Sequence, residues 1–317
     1  MKKKRCLYCY QELEDELLDY HPRCSKRFFG SNIPPTLSLD EKDWESIATE
    51  IVKRSVTIPG VQPKLSLTIQ QETNDPKKSR LTIVGLWGNY ILKPQSDQFK
   101  WLPENEDLTM KLARLTGIMT AEHTLIRTPS NALAYITKRF DRTKSGKVPM
   151  EDMCQLSEVS SIGNSKYNST MEKAGKVIAK YSSVPGLDVL RYFEVTLFSF
   201  ISGNADMHLK NFSIMKNSDN QYRLTPAYDL LCTTLAIPDD KEQMAMHLNG
   251  KKNSIKRKDF FDFAAKLKID SSVVEKTIAK QIGFQNDYEE LIKISFLPDE
   301  MKEQYIQLLR SRTKVFQ

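Results

Sequence analysis

The sequence predicts an α+β fold of two lobes, a mixed α/β N-lobe and a mainly helical C-lobe, on three observations. Short alternating runs bounded by turn signals crowd the first half, among them Leu65-Ser-Leu-Thr-Ile69 and Ala132-Leu-Ala-Tyr-Ile-Thr137, the pattern of half-buried strands. From Met150 onward the apolar spacing becomes helical, interrupted by one hairpin within residues 211–225. The chain has 317 residues, 40% of them hydrophobic and 27% charged, enough for two buried cores.

Residues 1–30 read as a short Cys/His module. Cys6-x2-Cys9 and His21-x2-Cys24 have the Cys3His spacing of a closed tetrahedral zinc site. The alternative is a set of reduced thiols in a hairpin packed by Leu7, Tyr8, Tyr20 and Phe28. Residues 31–148 form the N-lobe. A helix is expected over 37–51, followed by Ser55-Val-Thr57-Ile-Pro59-Gly60-Val-Gln62-Pro63-Lys64 and a strand at 65–69. As a cover for phosphates this loop is poor in glycine and matches neither G-x-x-x-x-G-K-[ST] nor G-x-G-x-x-G. The polar residues 70–80 read as a mobile turn, and 81–94 as a hairpin ending on Lys93. A lysine at that place either points to solvent or turns inward onto nucleotide phosphates. A helix over 105–115, capped by Asn105, carries Glu106, which either pairs with Lys93 or complements the helix dipole. Strands at 124–126 and 132–137 close the lobe, ahead of Lys138-Arg-Phe140-Asp-Arg142.

Residues 149–317 form the C-lobe, with helices expected over 171–181, 187–201, 258–267, 271–282, 288–294 and 299–312. The helix over 187–201 is apolar on most faces and so belongs in the middle of a helical core. It ends at Gly203 and releases Asn204-Ala-Asp206-Met-His208-Leu-Lys210-Asn211. Asp206 and Asn211 have the D-x-x-x-x-N spacing of a protein-kinase catalytic loop, where the Asp accepts a hydroxyl proton and the Asn holds a metal ion. Strands at 211–215 and 222–225 would return Asp229 beside Asn211 as a second metal ligand. A plain polar loop capping a hairpin is the competing account, and it leaves unexplained why a buried helix should release so many polar groups at once. The cleft between the lobes is the expected nucleotide site.

Charge and hydropathy exclude several classes. Lys plus Arg exceed Asp plus Glu by 47 to 40, a formal charge of +7, yet the clusters Lys251-Lys252 and Lys256-Arg257-Lys258 are short and lack interleaved aromatics, so they read as solvated surface. No apolar run reaches membrane-span length, and Met1-Lys-Lys-Lys-Arg-Cys-Leu-Tyr-Cys is no signal-peptide core, so the expectation is a cytoplasmic protein with no membrane partner.

Seven motifs together resemble one family: Ser55-Val-Thr-Ile-Pro-Gly-Val-Gln-Pro-Lys-Leu-Ser, Tyr90-Ile-Leu-Lys-Pro, Pro103-Glu-Asn-Glu, Arg139-Phe-Asp-Arg, Glu151-Asp-Met-Cys-Gln, Gly203-Asn-Ala-Asp-Met-His-Leu-Lys-Asn-Phe-Ser and Pro226-Ala-Tyr-Asp. Spanning residues 55–229 in family order, they resemble the HipA-like serine/threonine kinases, toxin components of bacterial toxin–antitoxin systems, and among them the short HipT type. The resemblance implies a two-lobed kinase-like fold with an unusual loop over the phosphates. It implies ATP and Mg²⁺ as cofactors, with Asp206 and Lys210 catalytic, Asn211 and Asp229 on the metal, and Lys93, His208 and Lys210 near the phosphates. Gln155 and the stretch from Lys138 to Phe140 would lie near adenine and ribose. A protein of translation such as an aminoacyl-tRNA synthetase is the implied substrate. Implied partners are a helix-turn-helix antitoxin, which alone contacts DNA, and a small separate protein supplying the N-terminal subdomain that longer members carry. Where the short type has Ser-Ile-Ser, this chain has Ser55-Val-Thr57, which leaves both hydroxyls as autophosphorylation sites. Two other functions compete: a small-molecule phosphotransferase, which shares the loop spacing, and a catalytically silent module that binds the antitoxin. The hydroxyls of Ser55 and Thr57 favour a protein substrate, and Lys93, Asp206, Asn211 and Asp229 together argue against silence.

Overall fold

The alternating segments of the first half pair into a six-stranded sheet in a computed structural model of the chain, which describes residues 3–37, 64–72, 75–84, 87–143, 146–160 and 163–317. Two units are resolved, one made of Met1–Asp107 with Ala121–Phe140, the other of Leu108–Thr120 with Asp141–Gln317. The first is strand-rich and the second helical, as the sequence predicts.

In the first unit, helix α1 (Pro22–Phe29) precedes strands β1 (Thr36–Leu37), β2 (Leu65–Glu72), β3 (Asp75–Ile83), β4 (Tyr90–Lys93), β5 (His123–Arg127) and β6 (Leu133–Lys138), in spatial order β1-β3-β2-β4-β6-β5. All pairings are antiparallel except β1 with β3. Leu65, Leu67, Leu92, Leu125, Ala134 and Ile136 are fully buried, the inward half of the period-two pattern. Two expectations fail here. The segments at 81–83 and 90–93 do not pair with each other, because β2 lies between them, with Leu67 opposite Ile83 on one side and Tyr90 on the other. The polar stretch 70–80 is mostly strand, with Gln70 opposite Arg80 and the Thr82 hydroxyl donating to Gln70 Oε1 at 3.1 Å. Polar side chains on the solvent face are no obstacle once both backbones find ladder partners. Helix α2 (Leu102–Leu115) starts three residues before the expected Asn105 cap. Pro103 in its first turn has φ preset for helix, and its missing N–H costs nothing there. Of the helix expected over 37–51, Leu37 ends β1, and the rest lies outside the described residues, as do Ser55, Thr57, Pro59 and Gly60.

The second unit contains the short hairpin β7 (Arg142–Thr143) and β8 (Gly146–Lys147), and a three-stranded sheet of β9 (Met150–Asp152), β10 (Ser213–Lys216) and β11 (Tyr222–Leu224), with β10 in the middle. The hairpin β10–β11 matches expectation, whereas β9 is an addition too short to signal itself in the sequence. Helices α3 (Met153–Leu156), α4 (Met171–Tyr181), α5 (Pro185–Ser202), α6 (Thr233–Ala236), α7 (Arg257–Lys266), α8 (Ser271–Gly283), α9 (Gln285–Lys293) and α10 (Asp299–Thr313) make up the rest. Helix α5 is the axis of this unit, with Tyr192, Phe193, Leu197, Phe198, Phe200 and Ile201 fully buried. Phe193 and Phe200 meet Phe260 edge-on at 6.4 and 5.3 Å, and Phe260 in turn meets Phe316 at 5.3 Å. Each such ring contributes roughly 1.5–3 kcal/mol by leaving water.

At the other end of α5, buried Asp188 accepts hydrogen bonds from Ser182 Oγ (2.6 Å), Arg223 Nε (3.1 Å) and the Leu224 N–H (3.0 Å). Burial alone would raise this carboxyl, but the donors from Arg223, Ser182 and Leu224 outweigh it and hold the group below its ordinary range. The hairpin β10–β11 is thereby clamped to the buried helix. In the basic clusters, Lys251 pairs with Asp259 at 2.8 Å and Lys252 with Glu242 at 3.0 Å, so part of that charge is neutralised within the fold. No helix among the described residues is long and apolar enough to cross a membrane.

Candidate active site

The loop released by α5 is held by its first residue. Gly203 adopts φ 71° and ends the helix in a Schellman arrangement, its own N–H returning to the Phe200 carbonyl and the Asn204 N–H to the Ser199 carbonyl at 2.8 Å. A Cβ at residue 203 would lie 2.5 Å from Leu308 Cδ2 and 3.0 Å from Thr234 Oγ1, so glycine is required both by the turn and by packing. Thr233 Oγ1 accepts the Ala205 N–H at 2.8 Å and donates to the Gly203 carbonyl. Asp206 follows with its N–H on Asn204 Oδ1. The Asp206 side chain is half exposed while Asn204, Met207 and His208 are buried, which places a carboxylate at the surface beside buried supports.

Tyr167, at the end of a 3₁₀ turn over Gly163–Tyr167, donates its hydroxyl to Asp206 Oδ1 at 2.5 Å. Burial and this bond both raise the phenol, so it stays a donor. The other carboxylate oxygen, Oδ2, lies 4.0 Å from His208 Nε2. Burial pushes His208 down to about 4, so the imidazole is neutral near pH 7. The buried atoms His208 Nδ1 and Asn204 Nδ2 have no hydrogen-bond partner among the described residues. Unsatisfied polar atoms at this depth cost free energy unless a ligand meets them.

Asn211 ends a 3₁₀ turn over Leu209–Asn211, and its Oδ1 accepts the His208 N–H at 3.3 Å. The hairpin then returns the chain, with the Thr225 N–H on the Ser213 carbonyl at 3.0 Å. Tyr228 donates to the Lys210 carbonyl at 2.9 Å and shares a 2.6 Å bond with Ser213 Oγ. That anchor brings the backbone of Asp229 alongside the Lys210–Asn211 turn, and its carboxylate is near enough to act electrostatically on His208. Asp229 itself has φ 56°, a left-handed conformation that costs a non-glycine residue of order 1 kcal/mol or more and tends to mark functional positions. Gln155 lies on the short helix α3, whose first N–H, on Met153, reaches the Phe212 carbonyl. The Gln155 side chain closes a capping box with Asp152, both bonds 2.9 Å.

Lys93, Lys138 and Phe140 belong to the first unit. Lys93 turns inward: it is buried, pairs with Glu106 Oε1 at 2.6 Å and sits 5.3 Å over the Tyr135 ring. Of the two roles open to Glu106, the structure selects the ion pair. The Lys138 ammonium lies 5.8 Å over the Phe28 ring. Cys6, Cys9, His21 and Cys24 also converge, their ligand atoms all within 4.8 Å of one another. His21 Nε2 donates to the Glu12 carbonyl at 3.0 Å and so turns Nδ1 toward the sulfurs, 3.4 Å from Cys9 and 3.8 Å from Cys24. A histidine held this way has the tautomer a metal needs.

Sequence reasoning missed Tyr167, Asn204 and Thr233 as supports of the loop. Tyr167 and Thr233 lie 39 and 28 residues from the groups they hold, and no local period or spacing reports such a contact.

A strand-rich unit with a buried Lys–Glu pair and a helical unit with a D-x-x-x-x-N loop define a kinase-like fold. The chain belongs to the family of the HipA-like C-terminal domain, whose model matches residues 56–286. A Haemophilus influenzae protein named "Putative kinase" is 27% identical over 83% of this chain and 82% of its own length. The Sinorhizobium fredii "Putative kinase Y4dM" is 31% identical over 71% of this chain and 57% of its own. Among solved structures, HipA in the Shewanella oneidensis MR-1 complex of HipA, HipB and operator DNA superposes with a TM-score of 0.67 at 21% identity, covering 84% of this chain and 70% of that one. The Helicobacter pylori proinflammatory kinase CtkA superposes with a TM-score of 0.52 at 14% identity, covering 74% of this chain and 87% of that one. At these identities the structures establish the fold.

Proposed function

We propose that the chain is an ATP- and Mg²⁺-dependent protein serine/threonine kinase, the toxin of a HipBA- or HipBST-type toxin–antitoxin system. The observation that carries the reading is Asp206: a half-exposed carboxylate, fixed by Tyr167, beside a neutral His208 and the orphaned His208 Nδ1 and Asn204 Nδ2. Polar atoms without partners next to a proton acceptor suit an anionic phosphoryl group with a hydroxyl approaching it. Asn211 and Asp229 offer amide and carboxylate oxygen, the hard donors that magnesium prefers, and the strain at Asp229 is in keeping with a ligand there. When bound, the ion neutralises charge that gathers on the transferring group. Asp206 then accepts the proton of the attacking hydroxyl, Lys210 and Lys93 lie on the phosphates, and Glu106 orients Lys93. Gln155, Lys138 and Phe140 are assigned to adenine and ribose.

The substrate class is a protein of translation such as an aminoacyl-tRNA synthetase, with self-modification at Ser55 or Thr57. The Shewanella structure contains HipB and operator DNA, which supports a helix-turn-helix antitoxin as partner here, with DNA reached only through it, and a second small protein completing the N-terminal side. The free thiols of Cys6, Cys9 and Cys24 fit a reducing, cytoplasmic setting. The Cys6, Cys9, His21 and Cys24 cluster suits a structural zinc ion, since its donor set, convergence and His21 orientation all match. The kinase reading is tested by incubating the protein with labelled ATP and Mg²⁺ beside Asp206→Asn, with mass spectrometry of the protein and of a cell lysate. Labelled protein in the parent and none in the variant is expected. Label confined to small molecules would favour a small-molecule phosphotransferase, and no turnover would favour a binding module.

A further inference from the structure

The Cys/His module is stitched to the edge strand β5 by many bonds. Thr124 Oγ1 donates to the Leu7 carbonyl at 3.0 Å, the Tyr20 hydroxyl to the Leu125 carbonyl, and Arg127 pairs with Asp19 at 3.1 Å. One bond reaches further. Tyr10 directly follows Cys9, turns through φ 64°, is fully buried, and donates its hydroxyl to Asp107 Oδ2 at 2.6 Å. Asp107 Oδ1 accepts His123 Nδ1–H at 2.8 Å. The His123 ring stacks on Tyr135 at 5.7 Å, and Lys93 sits over that same Tyr135 while pairing with Glu106, the residue before Asp107. A closed circuit results: Tyr10, Asp107, His123, Tyr135, Lys93, Glu106 and back to Asp107 through one peptide bond. Every member is essentially buried, so a shift in any one must be taken up by the others.

We infer that the Cys6, Cys9, His21 and Cys24 cluster is, when zinc-bound, a brace for Lys93. The metal fixes the knuckle from which Tyr10 projects, Tyr10 fixes Asp107, and Asp107 sets the turn of α2 that presents Glu106 to Lys93. Tyr10 and Asp107 are positioning residues, and the zinc never meets nucleotide. Loss of the ion by chelation releases the circuit and weakens the grip of Lys93. The inference rests on the assignment of Lys93 to ATP phosphates, and its test separates the two.

Tyr10→Phe keeps the ring and every metal ligand while removing only the donor to Asp107. The full chain, this variant, chelator-treated parent and Lys93→Ala are compared by zinc content, by hydrogen exchange of the amides of residues 104–107, and by calorimetry with Mg-ATP. Expected is unchanged zinc in Tyr10→Phe, faster exchange at 104–107 in both Tyr10→Phe and chelated parent, and Mg-ATP affinity lowered about tenfold in each, the size usual for a support one shell removed. Unchanged exchange in Tyr10→Phe overturns the brace. Faster exchange with parental affinity, where Lys93→Ala has lost affinity, overturns the coupling to Lys93. Parental affinity in Lys93→Ala removes Lys93 from the phosphates and leaves the exchange result to judge the brace alone.

Discussion

At Asp206 one carboxylate oxygen is occupied by Tyr167 and the other faces His208, so removing the Tyr167 hydroxyl frees the group to rotate. Under the proposed role of Asp206 as general base, Tyr167→Phe is expected to lower the kcat of autophosphorylation by about tenfold with KM little changed, since orientation of such a base matters in the transition state more than in substrate binding. Steady-state kinetics decide it, and an unchanged kcat would reduce the tyrosine to packing. Glu104 is a second informative residue. Burial pushes its carboxyl from an ordinary 4.5 up to about 7, despite Gln95 Nε2 donating to both oxygens at 3.0 and 2.9 Å. A folded value above the unfolded one means that the native state holds a proton which the unfolded chain has released. Its contribution to stability is therefore complete below pH 4.5 and is lost as pH rises toward 7, at up to about 1.4 kcal/mol per pH unit. Glu104→Gln should flatten that part of the profile, which urea unfolding of parent and variant at pH 5 and pH 7.5 would measure. Equal pH slopes would contradict the assignment.

At the scale of elements, the loop that carries Asp206 depends on how α5 ends. Gly203→Ala places a methyl group against Leu308 and Thr234 at φ 71°, whereas Gly30→Ala, at φ 86° after α1, meets nothing within 4 Å. Both changes cost roughly 1–2 kcal/mol for the left-handed backbone. Only the first should also displace Asn204 and Asp206, and so only the first should depress phosphoryl transfer when folded protein is assayed. Comparable activity loss in the two variants would mean that the cap acts through stability alone. The strand elements show why local reading stopped short. Segments 65–69, 81–83 and 90–93 are legible as strands, but which lies between the other two depends on long-range pairing, and β2 took the middle place.

For the whole molecule, the N-terminal module is the part whose state decides most. Protein purified without chelator is expected to hold near one equivalent of zinc by elemental analysis, and its removal should lower the melting midpoint by more than about 5 °C, since structural zinc contributes directly to folding. Metal-free protein with an unchanged melting curve would leave the cluster as packed thiols. Family membership rests on residues 56–286, so this module lies wholly outside the part of the chain the family model describes.

Local sequence carried the two-part α+β organisation, the buried helix, the hairpin that follows it, the Cys3His spacing and the family. Each is written in local periodicity, in a fixed offset such as Asp206 to Asn211, or in motif order along the chain. Only the tertiary structure decided that Glu106 pairs with Lys93, that Tyr167 holds Asp206, that β2 separates β3 from β4, and that Tyr10 ties the cysteine knuckle to Asp107. These contacts join residues from 13 to 97 positions apart. Their partners are chosen by burial, where a polar group must find whichever donor or acceptor the fold brings to it, and no local pattern encodes that choice.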